Sequence, residues 1–189
     1  MNHSLYIQEL EKLAAVMPVK ELQGKTILVT GANCLIASCL IDVLMLPEVN
    51  SRVFAMCRSY SKGETRFSNY LSNPRFHLIA QDVSEPLQEI GQMYYIIQAA
   101  SSADPYSFAS DPVGVMKANI IGTDNLLSYA KEHGCKLFVF VSSGEVYGTV
   151  ETGEKGFDED LSGNVSSMTS RSCYPEGKRA AETLCLSYK

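Results

Sequence analysis

A tyrosine and a lysine stand four residues apart in the stretch Arg171-Ser172-Cys173-Tyr174-Pro175-Glu176-Gly177-Lys178. On a helix that spacing puts both side chains on one face. An ammonium beside a phenol favours the phenolate, which can then take a proton from a substrate hydroxyl near neutral pH. Pro175 suits the first turn of such a helix, where its missing N–H costs no intrahelical bond. The pair alone arises often by chance on surface helices, so its companions decide its meaning. Upstream, VSSGEVYG (141–148) closes an apolar run and offers hydroxyls at Ser142 and Ser143 and a carboxylate at Glu145. A hydroxyl that bonds the substrate oxygen would complement a phenolate base. Glu145 could equally cap a loop N–H.

The elements that must position these groups alternate. Strands are predicted at 25–31, 52–57, 76–82, 94–101 and 136–143. Helices are predicted at 34–46, about 62–71, 111–133 and from about 174 onward, with a polar loop at roughly 149–172. The strands are near-continuous apolar runs, as expected when both faces are buried. Alternation of this kind predicts an α/β fold: a doubly wound parallel sheet with right-handed crossovers, of the Rossmann type. In such a sheet the polar stretches TGAN, CRS, QDV, QAASSADP and SSGEVYG all follow strand ends, so they gather along one edge.

The first of these edges, ILVTGANCLIAS, lies where a dinucleotide fold carries its glycine-rich phosphate turn. Gly31 remains, while Cys34 and Ala37 stand where further glycines are usual. Gly31, Asn33, Cys34, Leu35 and Ile36 are therefore candidate cofactor contacts, although a bare βα turn without a ligand would read similarly. The second strand ends Cys57-Arg58-Ser59 rather than in an acid. Arg58 could pair with a 2′-phosphate, stack on adenine, or simply be solvated, which leaves both NAD and NADP open. Asp82 and Val83 follow the third strand beside the adenine edge, where Asp82 could also be a loop cap. Ala99, Ala100 and Ser101 fall beside the nicotinamide position. Asn119 on the long helix reads as an active-site amide or as a buried, backbone-satisfied one.

The chain of 189 residues has 46% hydrophobic and 20% charged residues, ordinary for one globular domain. A net charge of −5 with no basic run argues against nucleic-acid binding. The apolar runs are too short for a membrane helix. Residues 1–23 read as a helical extension with Leu5, Ile7, Leu10, Leu13 and Ala14 mostly on one face, not as a signal peptide. The six cysteines contain no CxxC pair, which favours reduced thiols over disulfides or a metal site and fits a cytoplasmic protein.

With CYPEGKRAAETLCLSY and SSGEVYG in place, residues 24–189 resemble the extended short-chain dehydrogenases/reductases, the NAD-dependent nucleotide-sugar epimerases, dehydratases and decarboxylases. The two motifs are most similar to those of UDP-glucuronate decarboxylases. Gly144 stands where 4,6-dehydratases usually carry an aspartate, and Gln98 where relatives usually carry histidine. The resemblance implies Tyr174 as the base, with Lys178 as its partner and a ligand of the nicotinamide ribose. It implies Ser143 as the hydroxyl catalyst and Glu145 as the carboxylate of the decarboxylase and dehydratase branches. The implied reaction removes hydride from C4 of a nucleotide sugar to NAD, then loses the C5 carboxylate as CO2. A 4,6-dehydratase, a 4-epimerase and a non-catalytic dinucleotide-binding module are the alternatives. The resemblance also implies a further substrate-binding part beyond residue 189, without which this piece is expected to be inactive. It implies a homodimer of the full-length form through the 111–133 and Tyr–Lys helices.

Overall fold

The computed structural model describes residues 4–149 and 157–189. Strands β1 (Thr26–Thr30), β2 (Arg52–Cys57), β3 (Phe76–Ala80), β4 (Tyr95–Gln98) and β5 (Leu137–Phe140) form one sheet in the order β3-β2-β1-β4-β5. Every pairing is parallel. The order reverses between β1 and β4, and a doubly wound sheet opens its ligand crevice at that point.

The helices are α1 (Ser4–Val16), α2 (Val19–Leu22), α3 (Leu35–Leu44), α4 (Tyr60–Arg66), α5 (Pro105–Ser110), α6 (Pro112–Glu132) and α7 (Cys173–Ser187). One buried cluster, including Ile27, Val29, Ile41, Leu44, Val53 and Phe67, fills the space between the sheet and α3. A second, built on Leu28, Met56, Ile79, Ile96 and Leu126, packs the other face against α6. β1 and β2 thus read as unbroken apolar runs because each face meets a helix layer.

The structure departs from the sequence reading at several places. β4 and β5 are shorter than the apolar runs suggest; the ladder ends at Gln98 and Phe140, and beyond β4 Ala100, Ser101 and Ser102 line the crevice instead. On the edge strand β5, Leu137 and Val139 share one face and are 53% and 40% exposed rather than buried. α4 begins at Tyr60, where Ser59 accepts from the Lys62 N–H, and ends before 71. Phe67 is drawn fully into the core against Tyr70 and Phe76, and the chain turns there instead of continuing the helix. The short helix α5 was not expected, although Asp104 caps it and Pro105 opens it.

On α1 the buried stripe is Leu10 and Ala14, with Tyr6 one turn earlier; Leu5, Ile7 and Leu13 face outward. Part of the reason is polar. Tyr6 donates its hydroxyl to the buried Asp42 of α3, which also receives the Arg66 guanidinium from α4. That shared carboxylate and the packing of Leu10 and Ala14 into the core hold the same face of α1 inward. Part of the 149–172 loop lies outside the described residues; within it, Thr149 and Asn164 form an antiparallel bridge.

Candidate active site

Gly31, directly after β1, adopts φ +62, which favours glycine. A Cβ there would lie 2.7 Å from the Ala99 carbonyl oxygen and 2.8 Å from the Ala100 Cα. Only a bare backbone allows the turns after β1 and β4 to approach this closely. The Ala99 and Ala100 N–H groups both donate to the Thr30 hydroxyl at 3.2 Å. Gln98 binds the same hydroxyl, accepts from the Ala100 N–H and donates to the Ala118 carbonyl at 3.3 Å. It is buried and holds the turn from behind instead of facing the crevice.

The crevice is a cavity of about 260 Å3. Gly31, Asn33, Cys34, Arg58, Asp82, Val83, Ala100 and Ser101 all line it, gathered from four strand ends. Leu35 and Ile36, in the first turn of α3, lie outside it and are 78% and 66% exposed. Their backbone N–H groups lie in the first turn, at the positive end of the helix. Ala99 stands beneath the lining, against Gly31. Lining residues that the sequence reading passed over include Ser59, Lys62 and Ser102.

Asn119 joins the cavity to the Tyr–Lys helix. Fully buried, it donates to the Ser101 hydroxyl at 3.0 Å and to the Val115 carbonyl at 2.9 Å. Its Oδ1 has no partner among the described residues, and a buried acceptor left unpaired is costly. Gly177 of α7 lets the helices meet here, since a Cβ would sit 3.2 Å from that of Asn119. Tyr174, Lys178 and Asn119 do not line the cavity themselves; Asn119 meets its wall at Ser101.

Three polar ties seat α7 along the chain leaving β5. Lys178 Nζ donates to the Val141 carbonyl at 2.7 Å, Arg179 Nε donates to the Val146 carbonyl at 2.7 Å, and Ser142 donates to Glu182. Lys178 lies 3% exposed, with its ammonium 4.5 Å from the Phe140 ring centre and 5.8 Å from that of Tyr174. Burial pushes its pKa down to about 8, against a smaller opposing pull from Glu182. A buried lysine with so lowered a pKa is the kind of perturbed group that clusters at functional sites.

Ser143 caps the short 3-10 turn Gly144–Tyr147, accepting from the Glu145 N–H at 3.2 Å. Glu145 carries an ion pair with Arg171, Nη2 to Oε1 2.8 Å. Arg171 in turn sits over the Phe108 ring at 4.5 Å, and Phe108 packs on Tyr174 with ring centres 4.9 Å apart. The sequence reading missed Arg171 and Phe108. Arg171 is three residues before Tyr174, a spacing that carried a signal; Phe108 lies on α5, whose helix was not expected. Tyr147 stacks on Phe157 at 5.7 Å. Cys57 and Cys173 are buried thiols, and burial raises the pKa of both.

These residues suit a nicotinamide dinucleotide: a glycine turn no side chain could enter, a polar crevice at the switch point, and an unpaired amide oxygen beside Ser101. The fold and site together define a Rossmann dinucleotide protein with a Tyr–Lys helix docked beside a serine-bearing strand end. The model of the NAD dependent epimerase/dehydratase family matches residues 27–189, and the chain belongs to that family. It is 39% identical over 163 residues to UDP-glucuronic acid decarboxylase 6 of Arabidopsis thaliana, covering 86% of this chain and 46% of that protein. It is 36% identical over 188 residues to UDP-glucuronic acid decarboxylase 1 of Danio rerio, covering 96% of this chain and 43% of that protein. The chain thus spans less than half the length of these curated relatives. Among solved structures it superposes on a UDP-glucuronic acid 4-epimerase from Bacillus cereus in complex with NAD. The TM-score is 0.68 at 22% identity, over 86% of this chain and 52% of that one, a likeness of fold.

Proposed function

We propose that this chain carries the cofactor seat and the acid–base group of a nucleotide-sugar decarboxylase acting on UDP-glucuronate. The observation that carries the reading is Glu145, paired with Arg171, whose guanidinium rests on the Phe108 ring that packs against Tyr174. The similarity of the chain to UDP-glucuronic acid decarboxylases, at 35–39% identity, supports the decarboxylase branch.

A bound nicotinamide dinucleotide supplies the hydride acceptor and donor for the sugar carbon. Gly31, Asn33, Cys34 and Ala100 would hold its phosphates and turn, Asp82 and Val83 its adenine end, and Lys178 the ribose near Tyr174. The chain's own part is proton handling. Tyr174, as phenolate, accepts the proton of the sugar 4-hydroxyl, while the Ser143 hydroxyl donates to that oxygen. Lys178 offsets the phenolate charge. A ketone at C4 lets the C5 carboxylate leave as CO2, because the electron pair left at C5 delocalises onto the ketone oxygen. C5 must then regain a proton, and Glu145 with Arg171 is the acid–base group at hand. Homodimer formation of the full-length protein is part of the same proposal.

The test is mass spectrometry of the full-length protein incubated with a panel of UDP- and dTDP-sugars and dinucleotide. Loss of CO2 from UDP-glucuronate is the expected result. Loss of water from a dTDP- or UDP-hexose would identify a dehydratase, and an unchanged mass with a new stereoisomer an epimerase; either overturns the decarboxylase assignment.

A further inference from the structure

The connection from β3 to β4 carries one wall of the crevice and is held from the far side by α6. At its start Gln81, Asp82 and Val83 line the cavity. Gln81 folds the connection on itself, donating from Nε2 to the Pro86 carbonyl at 2.7 Å and accepting from the Gln88 N–H at 3.4 Å. Asp82 accepts from the Ser84 N–H at 2.9 Å. The wall and the segment that follows it are thus one hydrogen-bonded piece, although it contains neither helix nor strand.

Asn125 and Tyr129 of α6, with the helix's C-cap His133, grip that piece. Their spacing of four puts them on one stripe. Asn125 Nδ2 donates to the Val83 carbonyl at 3.0 Å. The Tyr129 hydroxyl donates to the Gly91 carbonyl at 2.7 Å and accepts from the Ile90 N–H at 3.2 Å. His133 stacks on the Tyr129 ring, centres 3.9 Å and planes 14° apart, with Nε2 3.0 Å from Glu89 Oε2. Glu89 in turn accepts from the Gly91 N–H at 2.8 Å.

The outermost grip needs a charge. His133 Nδ1 lies 3.0 Å from the Tyr129 carbonyl oxygen, so both ring nitrogens face oxygen acceptors. A neutral imidazole has a single N–H, and the imidazolium alone satisfies both. The titratable groups around the ring are Glu89 from the connection and Tyr129 and Glu132 from its own helix. The Tyr129 carbonyl foremost, and then the Glu89 carboxylate, hold the His133 pKa above its ordinary 6.5 against the opposing effect of desolvation. With the folded value raised, the grip is complete below the ordinary value and is lost as pH rises through the raised one.

We infer that the His133 imidazolium is a positioning residue for the dinucleotide: by holding Glu89 it keeps the Gln81–Val83 wall in place, and affinity for NAD+ falls as the ring loses its proton. The inference rests on the dinucleotide reading above and adds a pH control to it. His133 does not line the cavity and acts only through the connection.

Isothermal titration calorimetry of the full chain with NAD+ at about pH 6 and about pH 8 tests this, on the parent, His133→Gln and Glu89→Gln. Relative to the parent, both variants are expected to bind roughly three- to fivefold more weakly at the lower pH and equally at the higher, the range open to a partly exposed ion pair. The double variant should bind no more weakly than either single one. Lys178 titrates in every protein alike, so the difference between parent and variants isolates His133. Protection of the Ile90 and Gly91 amides against hydrogen exchange, corrected for intrinsic rates, reads the grip without cofactor and should fall over the same pH step in the parent alone. Affinities with the same pH dependence in parent and variants would overturn the inference, as would lost protection with unchanged affinity. NAD+ binding at neither pH would remove the dinucleotide seat, and this inference with it.

Discussion

Arg171 holds Glu145 in a 2.8 Å ion pair while resting on Phe108, the ring that packs against Tyr174. One guanidinium therefore ties the carboxylate after β5 to the phenol on α7. The pair is half-exposed, so it contributes little to folding, and its consequence is orientation. Glu145→Gln is expected to lower decarboxylation by roughly 100-fold, and Arg171→Gln by a smaller factor that Arg171→Lys partly restores. Stability in urea should move by less than about 0.5 kcal/mol for each. Equal activity of Glu145→Gln and the parent would remove Glu145 from the chemistry.

Tyr174→Phe keeps the ring on Phe108 and deletes only the hydroxyl. Turnover is expected to fall by roughly 100- to 10,000-fold, with dinucleotide affinity and melting temperature near those of the parent. Retained turnover would assign the proton to another group.

Lys178 predicts a pH dependence of stability. Its folded pKa is about 8 against an ordinary 10.5, so between those values the unfolded chain binds the extra proton. Stability contributed by this residue therefore rises as pH increases from about 8 to 10.5, and the whole penalty is present below that window. The drop corresponds to roughly 3 kcal/mol. Lys178→Met is expected to stabilise the unliganded protein at neutral pH by an amount of that order and to flatten the difference at high pH, while abolishing turnover. Urea unfolding of both proteins across the window measures it. A mutant less stable than the parent at neutral pH would contradict the buried-ammonium account.

Much of this was legible before any coordinates. Continuous apolar strands separated by helices specify a parallel sheet, and the glycine after β1 reads as a phosphate turn, whose close approach to Ala99 and Ala100 only the fold reveals. Tyr174, Lys178, Ser143 and Glu145 stood out because their types and spacing carry chemistry. What stayed hidden depends on contacts across the sheet. Gln98 reads as a departure at the cofactor, yet tertiary packing turns it toward Thr30 and Ala118. Leu5, Ile7, Leu10, Leu13 and Ala14 read as one face of α1, but of these Leu10 and Ala14 alone are buried, beside Tyr6 and its bond to Asp42. Phe108 had no signal of its own, since its role comes from the fold bringing α5 to Tyr174.

That Tyr6 bond sits in a buried cluster remote from the chemistry. Asp42 is 4% exposed and receives both Tyr6 and Arg66. Asp42→Asn leaves the Arg66 charge without its partner, at an expected cost of about 3 kcal/mol in urea unfolding. Earlier proteolysis within α1 should accompany it. A loss below about 1 kcal/mol would show that the pair adds nothing beyond its own desolvation.

The central claim is that Tyr174 and its companions serve hydride removal at the sugar C4 ahead of carboxylate loss. Single-turnover reaction of the full-length protein with UDP-glucuronate deuterated at C4, followed by absorbance and mass, tests it most directly. The account predicts reduced-nicotinamide absorbance that rises before CO2 is released, and a pentose product that keeps its deuterium at C4. CO2 release without that absorbance, or reduced nicotinamide without CO2, would contradict it.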